Sequence, residues 1–239
     1  MKAAPARVLV RADDFKVRLT GDLELDAETV AAADRAWSAP DRPPGLTDGR
    51  LLVYQGHDAA GPIPVVRAAR TRYRFFWADW HRPERTILPL AVSGAVSVAD
   101  ARGEVFLIGR RAPGVTQYPG WWELLPSGGL DAEAAADGSV DYQAQLQREL
   151  TEETGLTEDL VTSSCPLALI FDPGEKVVDL GVRMTLALDR ESVMGRLAPG
   201  TEYDAFQLLS ETELSSLAGT EPGLVPTSLT LLDLIAGRA

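Results

Sequence analysis

The chain is poor in the residues that build disulfides and soft metal sites. Across 239 residues it carries one cysteine and two histidines. A lone Cys165 excludes an intramolecular disulfide and points to a reducing compartment. It sits beside a strand-like segment and reads as packing rather than as a nucleophile. His57 and His81 are far apart and lack metal-ligand spacing, so both read as ordinary polar residues. Long hydrophobic runs are missing as well: none approaches the length of a membrane span. In the opening MKAAPARVLVRADDF only Val8, Leu9 and Val10 form an apolar core, too short for a signal peptide. The expectation is a cytoplasmic protein with no membrane partner, as a monomer or a homodimer. A basic surplus is also absent. The net charge of −12 excludes a general nucleic-acid surface. A phosphate-bearing small molecule stays compatible, because local arginines and a bound cation can offset the global charge.

What is present is concentrated in residues 128–156, GGLDAEAAADGSVDYQAQLQRELTEETGL. Glu149, Glu152 and Glu153 stand at i, i+3 and i+4, so on a helix they share one face. Leu146 and Leu150 recur at i, i+4 and can face a core. Asp141 is a candidate N-cap and Gly155 a candidate C-terminal stop, which predicts a helix from about Tyr142 to Thr154. Three carboxylates on one face repel one another unless a cation balances them. Hard oxygen ligands suit Mg²⁺ or Mn²⁺. Gly128 and Gly129 fit a tight loop with an accessible backbone carbonyl. The bland alternative is a solvated acidic helix face.

The whole stretch resembles the Nudix signature, G-x5-E-x7-R-E-U-x-E-E-x-G-U with U aliphatic. The matching residues are Gly129, Arg148, Glu149, Leu150, Glu152, Glu153, Gly155 and Leu156. The C-terminal half of the match is complete. The N-terminal half departs, because five extra residues lie between Gly129 and Arg148. Counting back from Arg148 puts Val140 where the family has its first glutamate. The insertion falls in LDAEAAADGS, where Asp131, Glu133 and Asp137 are three stand-ins for the missing carboxylate that the sequence does not separate.

Along the rest of the chain, residues 7–25 alternate as short strands and 27–38 look helical behind Asp26. The proline-rich APDRPPG at 39–45 ends that helix, and a strand follows from Arg50 to Gln55. TRYRFFWADWH at 71–81 is the densest aromatic stretch. It reads as a helix or turn that glues the N-terminal region down, or as a base-stacking platform. Pro83 to Pro89 looks like a crossing between two parts, 1–88 and 89–239. The hairpin around 100–103 ends at Arg110 and Arg111, candidate substrate-binding residues or a solvated strand end. Strands are expected at 167–171, 177–188 and 206–209, and a helix at Pro226 to Ile235.

The approach AVSGAVSVADARGEVFLIGRR and YPGWWELLPSGG is similar to that of Nudix domains. LTDGRLLVY and TRYRFFWADW, with EYDAFQLL and VPTSLTLLDLI, also resemble a subgroup with an extra N-terminal domain. One activity described there is hydrolysis of UDP-sugars. The resemblance implies an α/β fold: a Nudix-type α/β/α sandwich with a mixed sheet, plus a small N-terminal α+β domain packed on it. It implies a pyrophosphohydrolase whose partner is a small-molecule diphosphate, a nucleotide-sugar above others. Glu149, Glu152 and Glu153 would hold Mg²⁺ or Mn²⁺ with a carbonyl of Gly128 or Gly129. Arg148 would orient the glutamates, pairing with Glu152. The general base would be Glu149, or one of Glu175, Glu202 and Asp204. Rival readings are a Nudix-like binding module that does not cleave, and a hydrolase of nucleoside triphosphates or prenyl-type diphosphates. The loop 130–140 is expected to be loose, since its alanines offer little to pack. On that footing Val140→Glu would leave activity within roughly tenfold.

Overall fold

The structure is a computed structural model that describes residues 4–39, 42, 46–80, 82, 84–101, 103–131 and 133–238. His81, Pro83 and most of the proline-rich 39–45 therefore lie outside the described residues.

The chain opens with strands β1 (Arg7–Arg11) and β2 (Lys16–Asp22) and helix α1 (Ala27–Trp37). The Asp26 carboxylate caps α1 by accepting from Thr29 N at 2.7 Å. Strands β3 (Arg50–Asp58) and β4 (Val65–Arg72) form an antiparallel pair that runs into α2 (Tyr73–Trp80). Next come β5 (Leu90–Asp100), β6 (Gly103–Arg111), β7 (Trp122–Leu124), β8 (Ser127–Gly129) and β9 (Ser139–Val140). Helix α3 is Tyr142–Thr154. The last third holds β10 (Val161–Asp172), β11 (Val177–Leu186), α4 (Arg190–Met194), β12 (Tyr203–Ser210), α5 (Glu211–Leu217) and α6 (Pro226–Ile235).

The strands build two mixed sheets. The larger runs β1-β10-β11-β5-β6-β12, with β7 on β6 and β8 on β5. The β11–β5 pair is parallel and its neighbours are antiparallel. Side chains alternate across a strand, so each face of this sheet meets a different layer. Val96 and Val98 of β5, Leu107 of β6 and Leu169 of β10 pack toward Leu146 and Leu150 of α3. Ala95, Ile108 and Ile170 pack the other way, toward Leu231 and Leu232 of α6. Helix, sheet and helix make the expected sandwich.

The smaller sheet runs β3-β4-β2-β9. Its buried residues Phe15, Val17, Leu52, Val66 and Ala68 belong to the same apolar core as Leu90, Leu130 and Leu146. Two chain crossings join the sheets. β1 pairs with β10, so an N-terminal strand edges the large sheet. Conversely β9, from the segment before α3, pairs antiparallel with β2 and places Val17 opposite Val140.

This second crossing gives the 130–140 loop, expected to be loose for want of apolar packing, several anchors. Leu19 N donates to Gly138 O at 2.8 Å and Leu52 N donates to Leu130 O at 2.7 Å. Arg18 Nη1 donates to Asp137 O at 3.0 Å, and Arg50 pairs with Glu133. Val140 is buried in the main core. The loop is held through its backbone, which a count of apolar side chains does not register.

Candidate active site

Helix α3 has the predicted bounds. Asp141 accepts from Ala144 N at 2.9 Å, and Gly155 closes the helix in the left-handed region at φ 71°. The three glutamates leave it on one side but meet different surroundings. Glu149 lies over Gly128, where a Cβ would overlap the carboxylate. Gln145 Nε2 donates to Glu149 Oε1 at 2.6 Å. Glu153 accepts from Ser127 N at 3.2 Å and faces the Tyr203 hydroxyl at 3.5 Å. Glu152 is exposed.

Behind Glu153 runs a chain of polar contacts. Tyr203 donates to Glu123 Oε2 at 2.8 Å, Glu123 is paired with buried Arg111, and Arg111 lies 4.0 Å from Glu202. Burial, and then the charges of Glu202, Glu123 and Glu149, push Glu153 well above the carboxylate range. Glu202 keeps one side open to solvent; desolvation on its cavity side, with Glu123 and Glu149, raises it to about 7 against the pull of Arg111. Burial, opposed by its Gln145 hydrogen bond, also raises Glu149. Ionised together, these carboxylates would carry more negative charge than one arginine balances.

A cavity of about 770 Å³ opens beside them. Ser127 and Gly128, which touch Glu153 and Glu149, lie in its wall, and those two glutamates stand behind it. Glu123, Glu202, Arg111, Asp172, Glu175 and Asp179 all line the cavity. Leu51, Tyr73 and Phe76 come from the N-terminal region. The loop between β6 and β7 supplies Tyr118, whose hydroxyl donates to Asp172 Oδ2 at 2.6 Å. Tyr118 holds φ 46°, a strained value for a side chain of this size, and that bond helps retain it. Asp179 is buried on β11 with Ser93 donating to it at 2.8 Å, and burial pushes it up to about 7. Glu175 is pushed by burial to about 6 despite Arg85 nearby.

The candidate residues divide accordingly. Arg111 lines the cavity, while Arg110, its neighbour on the strand, turns to the other face and pairs with Asp204 at 2.7 Å. That also takes Asp204 away from the cavity wall; Glu175 and Glu202 remain in it. Gly129 borders the cavity beside Gly128. Arg148 does not pair with Glu152 as expected. It lies 3.1 Å from Asp131 and donates to Gln145, because Gln145 is one turn back on the same face and Leu130 carries Asp131 alongside. Of the aromatic stretch, Phe76 and Trp77 are buried, and edge contacts join Tyr73 to Phe76 and Phe76 to Trp80. Sequence reasoning missed Glu123, Asp172, Asp179 and Tyr203. The available signal was a carboxylate inside an apolar strand, as in VVDLGV and LALIFD.

The NUDIX domain family model matches residues 89–226, more than half of the chain. The chain belongs to the Nudix family. It is a hydrolase acting on pyrophosphate bonds, and Nudix hydrolases are generally dependent on a divalent metal. Among solved structures it is similar to DR0079 from Deinococcus radiodurans, with 14% identity and a TM-score of 0.50. That likeness covers 77% of this chain and 98% of the other. It is also similar to a C. elegans Ap4A hydrolase, at 16% identity over 63% of this chain and 96% of that one, TM-score 0.41. The NUDIX domain of Shewanella oneidensis NrtR, complexed with ADP ribose, shows 12% identity over 64% and 89%, TM-score 0.43. These likenesses concern the fold alone. No curated protein sequence matches the chain.

The donors of the Nudix domain suit a divalent cation. Glu149 and Glu153 are hard oxygen donors held short of balancing positive charge. Gly128 leaves the space beside Glu149 free of a side chain. Among the described residues no three carboxylate, imidazole or thiol groups converge as a ready-made cage. Mg²⁺ does not require one, since it commonly takes one or two carboxylates, waters and substrate phosphates. The donor set fits.

Proposed function

We propose that this Nudix chain cleaves the pyrophosphate of a nucleoside diphosphate linked to another moiety, with a nucleotide-sugar such as a UDP-sugar favoured. The observation that carries this reading is the cavity: the carboxylates of Glu123, Glu202, Asp172, Glu175 and Asp179, one buried arginine, and an aromatic wall from the N-terminal region. Its volume falls in the range of small-molecule sites. The resemblance of the N-terminal region to the subgroup with UDP-sugar hydrolases supports the sugar in particular.

In this reading Glu149, Glu152 and Glu153, with a carbonyl of Gly128 or Gly129, hold Mg²⁺ or Mn²⁺. When bound, the ion polarises a phosphoryl oxygen and lowers the pKa of a water. The chain's own groups do the rest. Arg111, charged and desolvated, meets a phosphate oxygen from the cavity wall. Glu202, in the same wall and beside Arg111, is the group that accepts the attacking water's proton. Tyr73 and Phe76 offer faces to a base or sugar ring. Arg148 orients Glu149 and touches no substrate. Arg110, committed to Asp204, is left outside the substrate contacts.

Val140 in place of the family's first glutamate favours a second reading, a domain that binds without cleaving. A panel of nucleotide-sugars, nucleoside triphosphates and prenyl diphosphates separates the two. Phosphate released after coupling to a phosphatase is measured with Mg²⁺ and with Mn²⁺. Turnover confined to nucleotide-sugars is the expected result. Turnover only of triphosphates or prenyl diphosphates removes the sugar assignment, and saturable binding without any turnover selects the second reading.

A further inference from the structure

Position 140 cannot supply a carboxylate, and its side chain is committed to the core opposite Val17. Something else must hold Arg148 and Glu149. Gln145 is 4% exposed and stands at i with Arg148 and Glu149 at i+3 and i+4. A buried amide needs partners for both its ends. Gln145 Nε2 donates to Glu149 Oε1 at 2.6 Å, and Gln145 Oε1 accepts from Arg148 Nη2. Chemistry fixes which way round the amide lies. A guanidinium only donates and an ionised carboxylate only accepts, so the amide oxygen faces Arg148 and the nitrogen faces Glu149. The same Arg148 nitrogen lies 3.1 Å from Asp131 Oδ1. Asp131 is placed by Leu130, whose backbone bonds to both sheets: Leu130 N to Leu90 O at 2.8 Å, and Leu52 N to Leu130 O at 2.7 Å. Glu149 is thereby clamped between the Gln145 amide and the bare backbone of Gly128.

We propose that Asp131 and Gln145 are positioning residues that replace the missing signature carboxylate: Asp131 holds Arg148, Arg148 fixes the Gln145 amide, and the amide aims Glu149 at the metal position. Of the three acidic residues in the insertion, only Asp131 does this. Glu133 is paired with Arg50, and Asp137 accepts from Ser139 within its own turn. The proposal rests on the reading of Glu149 as a metal-holding residue. Outer partners of metal-holding side chains typically change metal affinity or activity by about 10–100-fold when removed.

The test is a Mn²⁺ titration of the full chain, with free ion read by electron paramagnetic resonance and melting temperature measured alongside. Gln145→Met keeps the volume and removes both hydrogen bonds, so Mn²⁺ should bind about 10-fold more weakly. Asp131→Ala should weaken binding by a smaller factor, and Asp131→Glu should restore it. Asp131→Ala added to Gln145→Met should cost nothing further, because Asp131 acts through the amide. Folded Gln145→Met protein with wild-type affinity would overturn the proposal, as would wild-type affinity in Asp131→Ala, a surface change that decides alone if Gln145→Met does not fold. Full additivity of the two losses also overturns the relay. Wild-type protein that binds no Mn²⁺ overturns the metal reading itself, and this proposal with it.

Discussion

Gly128 and Asp179 carry the sharpest consequences at the scale of single residues. A methyl group on Gly128 would occupy the place of the Glu149 carboxylate. Gly128→Ala should therefore cut kcat/KM at least tenfold, about 1.4 kcal/mol of barrier, with little change in melting temperature. Steady-state kinetics beside a thermal melt checks both halves. Asp179 makes a prediction about pH. Its ordinary value of 3.8 is raised to about 7 by burial, lowered somewhat by Ser93 and raised again by Asp172. The folded protein therefore binds the proton more tightly than the unfolded chain. The stability this contributes is complete below about pH 4 and is lost as pH rises through about 7. In metal-free protein, Asp179→Asn should gain on wild type progressively from about pH 4 to 7, with a level difference above. Urea titrations across that range would show it, and a constant difference at all pH values would refute the assignment. Asp179 also marks a limit of reading from sequence. One acid in an apolar strand gives no sign of its partners, because Ser93 and Asp172 reach it only through sheet pairing and a turn.

The elements divide by how local their determinants are. Helix α3 was legible to the residue, since Asp141, the leucine spacing and Gly155 all act within the helix itself. Helix α6 was legible for the same reason, with Pro226 at its first turn. The short strand β9 was not. Two residues have no periodicity, and β9 exists only because β2, more than a hundred residues earlier, offers an edge. β4, α4 and α5 were likewise not anticipated: β4 reads as VVRAARTR, without clean alternation, and the two helices are short. The β2–β9 pairing reverses the expectation for Val140→Glu. A carboxylate there would enter the apolar core without a cation, at a cost on the order of 3 kcal/mol or more. The variant should melt well below wild type, and any activity it loses should follow the unfolded fraction. A melting temperature equal to wild type would mean that β9 does not bury this side chain in solution.

For the whole molecule, the cavity depends on the chain crossing between its sheets twice. Strand β1 edges the large sheet, β9 edges the small one, and Tyr73 and Phe76 wall the cavity from the N-terminal side. A fragment 89–239 would lose β1 from β10, the β2 partner of β9, and the apolar cover of Leu130 and Leu146. We therefore expect it to aggregate; a soluble and fully active fragment would make residues 1–88 an independent module. The family and the helix face were readable from one run of residues, whereas the polar chain from Glu153 through Tyr203 and Glu123 to Arg111 was not. Its members come from four elements far apart in sequence. In the proposed function the α3 glutamates Glu149 and Glu153, behind the Ser127–Gly128 wall of the cavity, serve the cleavage of a diphosphate. The most direct measurement is phosphatase-coupled turnover of a nucleotide-sugar at saturating Mn²⁺, in wild type and in Glu153→Gln. Burial, with Glu202, Glu123 and Glu149 close by, already disfavours a charge on Glu153, and the amide carries none, so the fold should be as stable or more so. The account predicts a loss of about a hundredfold or more in kcat, roughly 2.7 kcal/mol, in a protein that melts no lower than wild type. Equal turnover by the two proteins would contradict it.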